Sequence, residues 1–450
     1  MMSLLETGPT ATHPDDRTTA PADGLGAADT RKAVVASLIG TTVEWYDFFL
    51  YATAAGLVFD KLFFPNNSAF VGTMLSFATF AVGFVMRPIG GLVFGHIGDR
   101  IGRKKTLALT MAIMGGSTAL MGVLPTAAAI GVAAPILLLL LRMLQGFALG
   151  GEWAGAVLLA VEHSPRRKVG LFGSYPQVGL ALGLALGTGV FAVLRTTLSE
   201  AAFLDYGWRI AFGAGLVLVL IGLVVRLKID ETPAFREVDR LNRISKVPVV
   251  ELFRNARSRR NTMLGLLSRW GEGAAFNTWG VFAITFATGH LGFEQVPVLV
   301  AVTVAAVAMA ALIPVSGLLA DRFGPRRVYI AGIAAYGVLV YPVFALFETG
   351  NIVVFTVAII AVFGVAHALF YGAQGTLYAG LYPAEVRYTG LSFVYQFSGI
   401  YASGLTPMIV TALIAVGGST PWLACGYLVA TAVVSVIATW FISEDDRLTA

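Results

Sequence analysis

Glu44 and Asp47 stand three residues apart near the middle of a long apolar run, Thr42-Val43-Glu44-Trp45-Tyr46-Asp47-Phe48-Phe49-Leu50-Tyr51. At that spacing on a helix the two carboxylates share one face. An ionisable group deep in apolar sequence is costly unless it faces a cavity or a partner. Two readings follow. Burial and mutual repulsion oppose a double negative charge, which makes the two acids a protonatable pair suited to proton coupling. The other reading is a structural ion pair or hydrogen bond to a neighbouring helix.

A second run carries Arg142-Met143-Leu144-Gln145-Gly146 and then Gly150-Gly151-Glu152-Trp153. Arg142 and Gln145 share a face, and so do Gln145 and Glu152. A buried arginine can hold a carboxylate substrate through a two-pronged contact or pair with an acid of the first run. Glu152 lies further along, where Arg87 of Met86-Arg87-Pro88 is its candidate gating partner. Arg269 and Glu272 repeat the three-residue spacing in the second half of the chain; they either line the substrate site or simply neutralise one another. His367, with Tyr371 and Gln374, can line the same site, although a lone histidine is commonly a packing residue. The substrate-binding candidates are therefore Arg142, Gln145, Tyr51, Arg269, Glu272, His367 and Gln374. The other aromatics of these runs, among them Trp45, Trp153, Phe276, Trp279 and Tyr395, are mostly packing, with a few as apolar walls of the cavity.

Between two apolar runs lies a dense polar stretch, Gly95-His96-Ile97-Gly98-Asp99-Arg100-Ile101-Gly102-Arg103-Lys104-Lys105. A weaker copy, Gly317 to Arg327 with Asp321, Arg322 and Pro325, recurs about half the chain later. Two copies of one loop imply two copies of one module. Gly95 and Gly102 permit a tight turn. Asp99 can sit at the positive N-terminal end of a neighbouring helix beside a cation, with Arg387 the candidate by pseudosymmetry. Asp321 would make the matching contact with Arg166, Arg167 or Lys168. Such contacts form a gate; alternatively Arg100 and Arg103 to Lys105 only set membrane orientation.

The elements that must position these residues are membrane helices. Of 450 residues, 57% are hydrophobic and 13% charged, against about 25% charged in soluble domains. Apolar runs of about 20 residues recur from end to end, each long enough to cross a hydrocarbon core as a helix. About twelve are expected, at 33–59, 69–94, 105–125, 132–160, 168–194, 209–227, 261–288, 294–319, 327–347, 351–380, 388–416 and 420–441. The chain divides into a polar tail at 1–30, a six-helix half at 31–228, a linker at 229–260, a second six-helix half at 261–442 and a short tail at 443–450. The first tail reads as disordered, the linker as carrying one or two short amphipathic helices, and no cleaved signal peptide is expected.

About 25 of the 31 Lys and Arg fall on the side of the two termini, about three opposite (Lys61, Arg195, Arg209), and Arg87, Arg142 and Arg269 within spans. That asymmetry predicts cytoplasmic termini and removes any nucleic-acid reading of the +5 net charge. The single cysteine, Cys425, excludes an internal disulfide and a cysteine-based metal cluster. The sequence lacks HExxH, GxSxG and Walker A patterns, so enzyme classes built on them are not expected.

The Gly95–Lys105 stretch resembles the signature loop of the major facilitator superfamily. Together with Glu44-Trp45-Tyr46-Asp47-Phe48, Arg87-Pro88-Ile89-Gly90-Gly91, Arg142–Gly146 and Gly150-Gly151-Glu152-Trp153, it is similar to the metabolite:proton symporter family, which includes shikimate, alpha-ketoglutarate and proline/betaine permeases. The resemblance covers about 30–442; Pro325 departs from it where a basic residue is usual. It implies a bacterial inner-membrane symporter that imports a small organic acid or zwitterion by alternating access. The proton gradient would be the energy source, with no cofactor, and a monomer would suffice. An exporter working as a drug or metabolite:proton antiporter shares the fold and loop, and stands as the alternative.

Overall fold

The computed structural model describes residues 27–227 and 252–442, apart from Asn66, Gly102, His163 and Pro383. Side chains within 95–105 are not among those described. All regular elements among the described residues are helical. Among the described residues, twelve helical runs lie at the twelve expected spans. Nine of the described helices are long and apolar enough to cross a membrane. Span three offers a shorter apolar helix, Ala108–Val123. Spans one and seven are less apolar because they bury Glu44, Asp47, Arg269 and Glu272. Large apolar side chains such as Leu92, Leu140, Leu220, Val338 and Val353 point outward, as a lipid-facing surface requires.

Several boundaries differ from expectation. Span one begins at Ala27, inside the predicted tail. Span two runs unbroken over Ala69–Ile101, and span three resumes at Arg103. Gly95 therefore sits in a helix and not in a turn, since a lone glycine weakens a helix without ending it; Gly102 lies outside the described residues. Span seven starts at Ala256, where the Asn255 side chain accepts from the Arg257 and Ser258 amides. That start shortens the predicted linker, whose remainder up to residue 251, with any amphipathic helix, lies outside the described residues. Span four breaks at a tight turn over Leu149–Gly151 between Ala133–Ala148 and Glu152–Glu162. Wider π-type turns interrupt span one at Ala55–Phe59, span seven at Thr278–Phe282, span ten at Ile360–His367 and span eleven at Gly399–Gly404. Such turns commonly mark functional positions in helices.

Glycine permits the closest crossings. A Cβ on Gly90 of span two would overlap the Phe147 carbonyl of span four. Across the halves, Gly170 of span five (Val169–Thr197) and Gly317 of span eight (Gln295–Phe323) meet backbone to backbone. Small residues at helix crossings are how membrane helices gain packing without a hydrophobic drive. The face from which span one starts is called the terminal face below.

Candidate functional site

Asp47 is buried and its carboxylate is specifically held. Oδ2 accepts from Thr118 Oγ1 of span three at 2.6 Å and from Gln145 Nε2 of span four at 2.7 Å. Gln145 Nε2 also lies 2.8 Å from Thr118 Oγ1. The Oε1 atom of Gln145 accepts in turn from Arg142 Nη1. Arg142 lies over the Tyr51 ring, 4.2 Å from its centroid, and the Tyr51 hydroxyl donates to Thr79 of span two at 2.7 Å. Four predicted residues, Asp47, Gln145, Arg142 and Tyr51, thus form one chain of contacts across spans one to four. Asp47 Oδ1 and Arg142 Nε have no hydrogen-bond partner. Buried polar atoms are normally satisfied, so the two orphans make this network a candidate site.

Glu44 is buried too, but faces different company. Its carboxylate and the Arg87 guanidinium of span two interact electrostatically. Arg87 lies among rings, 4.8 Å from Phe84 and 5.0 Å from Phe48. Glu152, expected beside Arg87, accepts from Thr110 of span three at 2.8 Å. So the two acids of span one are not one pair: a three-residue step leaves about 60° between them, enough to reach separate neighbours.

In the second half, Arg269 and Glu272 pair with each other, Nε to Oε2 3.2 Å, and both are buried. Arg269 Nη1 also donates to the Tyr395 carbonyl and to Ser398 Oγ. His367 and Gln374 lie seven residues apart on span ten, both buried, and neither ring nitrogen of His367 nor either amide atom of Gln374 has a hydrogen-bond partner. His367 packs against Phe276 of span seven, ring centroids 5.7 Å apart. Phe276 meets Trp45 and Phe49 of span one. Phe276 thus stands in ring contact with both His367 and the span-one aromatics that flank Asp47.

At the terminal face, Asp321 accepts from the backbone amides of Gly170 and Leu171 at 2.5 and 3.0 Å. It caps the N-terminal end of span five, satisfying two of the amides that every helix start leaves open. The predicted cations Arg167 and Lys168 are exposed; the side chain of Arg166 is not described. Arg387 reaches Glu162 of span four at 3.6 Å and the Tyr382 carbonyl at 3.1 Å. Its expected partner Asp99, with Arg100 and Arg103, belongs to the undescribed side chains. Arg322 lies on the exposed end of span eight.

Residues 32–243 match the family described as Sugar (and other) transporter, and residues 273–450 match the Major Facilitator Superfamily. The inner membrane metabolite transport protein YhjE of Escherichia coli is 41% identical over 84% of this chain and 86% of its own length. The chain belongs to the major facilitator superfamily. The shikimate transporter of Escherichia coli is 36% identical to this facilitator over 97% of the chain and 98% of that protein. The proline/betaine transporter of the same organism is 36% identical over 90% and 82%. Among solved structures, a D-xylose–proton symporter superposes with a TM-score of 0.72 at 16% identity, covering 93% of this facilitator and 99% of that chain. That likeness shows the fold. The protein is a multi-pass membrane transporter, and its family is not one of enzymes.

Sequence reasoning missed Thr118, Thr79 and Ser398, since hydroxyls in apolar helices carry no periodic signal. It also missed Gln177, whose Oε1 accepts from Trp153 Nε1 at 3.1 Å, and Gln396, which donates across the halves to the Gly150 carbonyl at 2.7 Å. A glutamine inside an apolar run is the signal that could have found both.

Proposed function

We propose that this facilitator is a proton-coupled symporter that imports a small organic acid or zwitterionic metabolite by alternating access. The observation that carries the reading is the buried Asp47, held by Thr118 and Gln145 through one oxygen while the other is free of hydrogen bonds. Gln145 keeps the carboxylate from direct contact with Arg142, so proton and guanidinium are linked through one amide. Protonation of Asp47 weakens the pull on Gln145, and Gln145 in turn loosens its hold on Arg142. A substrate carboxylate can then recruit the guanidinium, which suits the organic acid and zwitterion named in the two transporter relatives. His367 and Gln374 supply neutral hydrogen-bonding groups from the other half. The Asp321 cap and the Arg387–Glu162 pair join the halves at the terminal face and part when it opens; Asp99, Arg100, Gly102 and Arg103 belong to the same gate. The proton gradient is the energy source, a single chain carries the whole pathway, and no cofactor is used. The terminal face is the cytoplasmic side of a bacterial inner membrane.

The test is uptake into proteoliposomes with an imposed inward proton gradient. The panel contains shikimate, dicarboxylates, aromatic acids, proline and betaine, with an uncoupler control. Uncoupler-sensitive accumulation of one compound is expected. Gradient-driven efflux of a hydrophobic cation, with no accumulation, would replace symport by the antiporter reading.

A further inference from the structure

Four buried charges of spans one, two and seven stand outside the Asp47 network: Glu44, Arg87, Arg269 and Glu272. The first two belong to the first half and the last two to the second. They converge on Tyr395 of span eleven, which interacts electrostatically with all four. The Arg269 guanidinium lies over the Tyr395 ring, 3.7 Å from its centroid. Trp153 of the first half stacks on the same ring, centroids 3.7 Å and planes 15° apart. Two groups so close to one ring must take opposite faces, so Tyr395 is clamped between a first-half indole and a second-half cation.

Arg87 approaches the same place from the first half. It lies over Phe84, and Phe84 packs on Gly399 of span eleven, where an added Cβ would stand 3.3 Å from the Phe84 ring and 3.9 Å from Arg269 Nη1. Arg87 and Arg269 act on each other as like charges. Each has a carboxylate of its own half beside it: Glu44 for Arg87, Glu272 for Arg269. The interface is thus neutral only while both acids are ionised. Arg269, the residue before the helix Trp270–Asn277, and Glu272 within it are three residues apart on span seven and stay together whatever the halves do. Glu44 is the carboxylate whose charge decides whether Arg87 is masked.

We propose that Arg87 and Arg269 form a masked like-charge pair across the half interface, and that a proton on Glu44 unmasks it and drives the terminal face open. Glu44 is then a second proton-sensitive site, separate from Asp47 and acting on the gate. The other buried ionisable groups on the elements named include Arg142 and Glu152 of span four, His367, Tyr371 and Tyr378 of span ten, and Arg269, Glu272, Arg387 and Tyr395 of spans seven and eleven; spans five and six bring none among the described residues. With a proton on Glu44 the repulsion is exposed, and with Glu44 ionised the interface is neutral. This deepens the symport reading by placing the gate under proton control, and its test does not use transport.

Thr376 of span ten is buried and donates to the Val169 carbonyl across the halves. In a Cys425→Ser background, Thr376→Cys would report opening of the terminal face through its rate of reaction with N-ethylmaleimide. Rates are normalised to an exposed Thr196→Cys control, with no substrate and no gradient. Asp47→Asn is included throughout so that the acid of the first site does not titrate, and the Glu44→Gln comparison isolates the second. Labelling is expected to rise roughly tenfold from about pH 8 to about pH 5.5, an ordinary size for coupling between two sites. Glu44→Gln should be fast at both pH values, and Glu44→Gln with Arg87→Met slow at both. A Glu44→Gln rate equal to its parent's, or a double variant as fast as Glu44→Gln, overturns the proposal. Proton-driven uptake that persists beside such a result overturns the gate alone and leaves symport standing. If labelling behaves as expected while no substrate is accumulated, symport falls and the proton-sensitive interface stands.

Discussion

Gln145 bonds Asp47 and Arg142 at once, donating to the carboxylate through Nε2 and accepting from the guanidinium through Oε1. This orientation of the amide is the one that satisfies both neighbours, because a guanidinium only donates and an ionised carboxylate only accepts. The two opposite charges are therefore joined without touching. Replacing Gln145 by Leu leaves both facing an apolar side chain. We expect a loss of about 1–3 kcal/mol, the usual cost of stranding a buried polar group. A melting temperature in detergent no lower than the parent's would contradict that linkage.

Asp47→Asn keeps the shape and the bond to Thr118 but cannot exchange a proton. Gradient-driven accumulation should vanish while counterflow exchange of the same substrate continues. The reason is thermodynamic: a proton that the carrier does not bind cannot shift its two conformations. Uptake of the parent should also fall as external pH rises at fixed membrane potential, and that of Asp47→Asn should not depend on it. Undiminished accumulation by the variant would take Asp47 out of the coupling.

Asp321 caps span five from the opposite half, so it contributes both to the helix and to closure. Asp321→Ala should cost about 0.5–2 kcal/mol, as lost caps do. The loss falls on the closed state, and so a Ser174→Cys probe beside Gly317 should react faster with N-ethylmaleimide. Equal reactivity would show that the cap does not hold the halves.

Packing predictions separate two glycines. A methyl at Gly90 would strike the Phe147 carbonyl, whereas one at Gly116 meets nothing within 4 Å. Gly90→Ala should destabilise by about 1–3 kcal/mol through overpacking, and Gly116→Ala should be neutral or slightly stabilising. Thermal unfolding in one detergent reads both, and the reverse ranking would sink the crossing of spans two and four.

The Lys61–Glu200 pair, 3.6 Å long and well exposed, offers the opposite case. Removing either partner should change stability by less than about 1 kcal/mol, since solvent screens such pairs. A larger loss at moderate salt would mean that these outer segments are held by more than this contact.

Much of this protein was legible along the chain. The helix class and span positions followed from apolar runs of membrane length, because a backbone in lipid has no other way to satisfy its hydrogen bonds. Repetition of the Gly95–Lys105 pattern at Gly317–Arg327 pointed to two modules, and charged or polar residues at Asp47, Arg142 and Gln145 pointed to a candidate site, since such residues are costly to place in apolar helices. Tertiary structure alone decided who meets whom. Glu44 and Asp47 share a helix face in sequence, yet one turns to Arg87 and the other to Thr118 and Gln145. Spacing reports directions about one helix axis, whereas partners depend on how close the neighbouring axes come, and glycines such as Gly90 and Gly170 set that distance. The Trp153–Tyr395–Arg269 clamp joins spans four, eleven and seven. Nothing in the chain order brings them together; the packing of the two halves does.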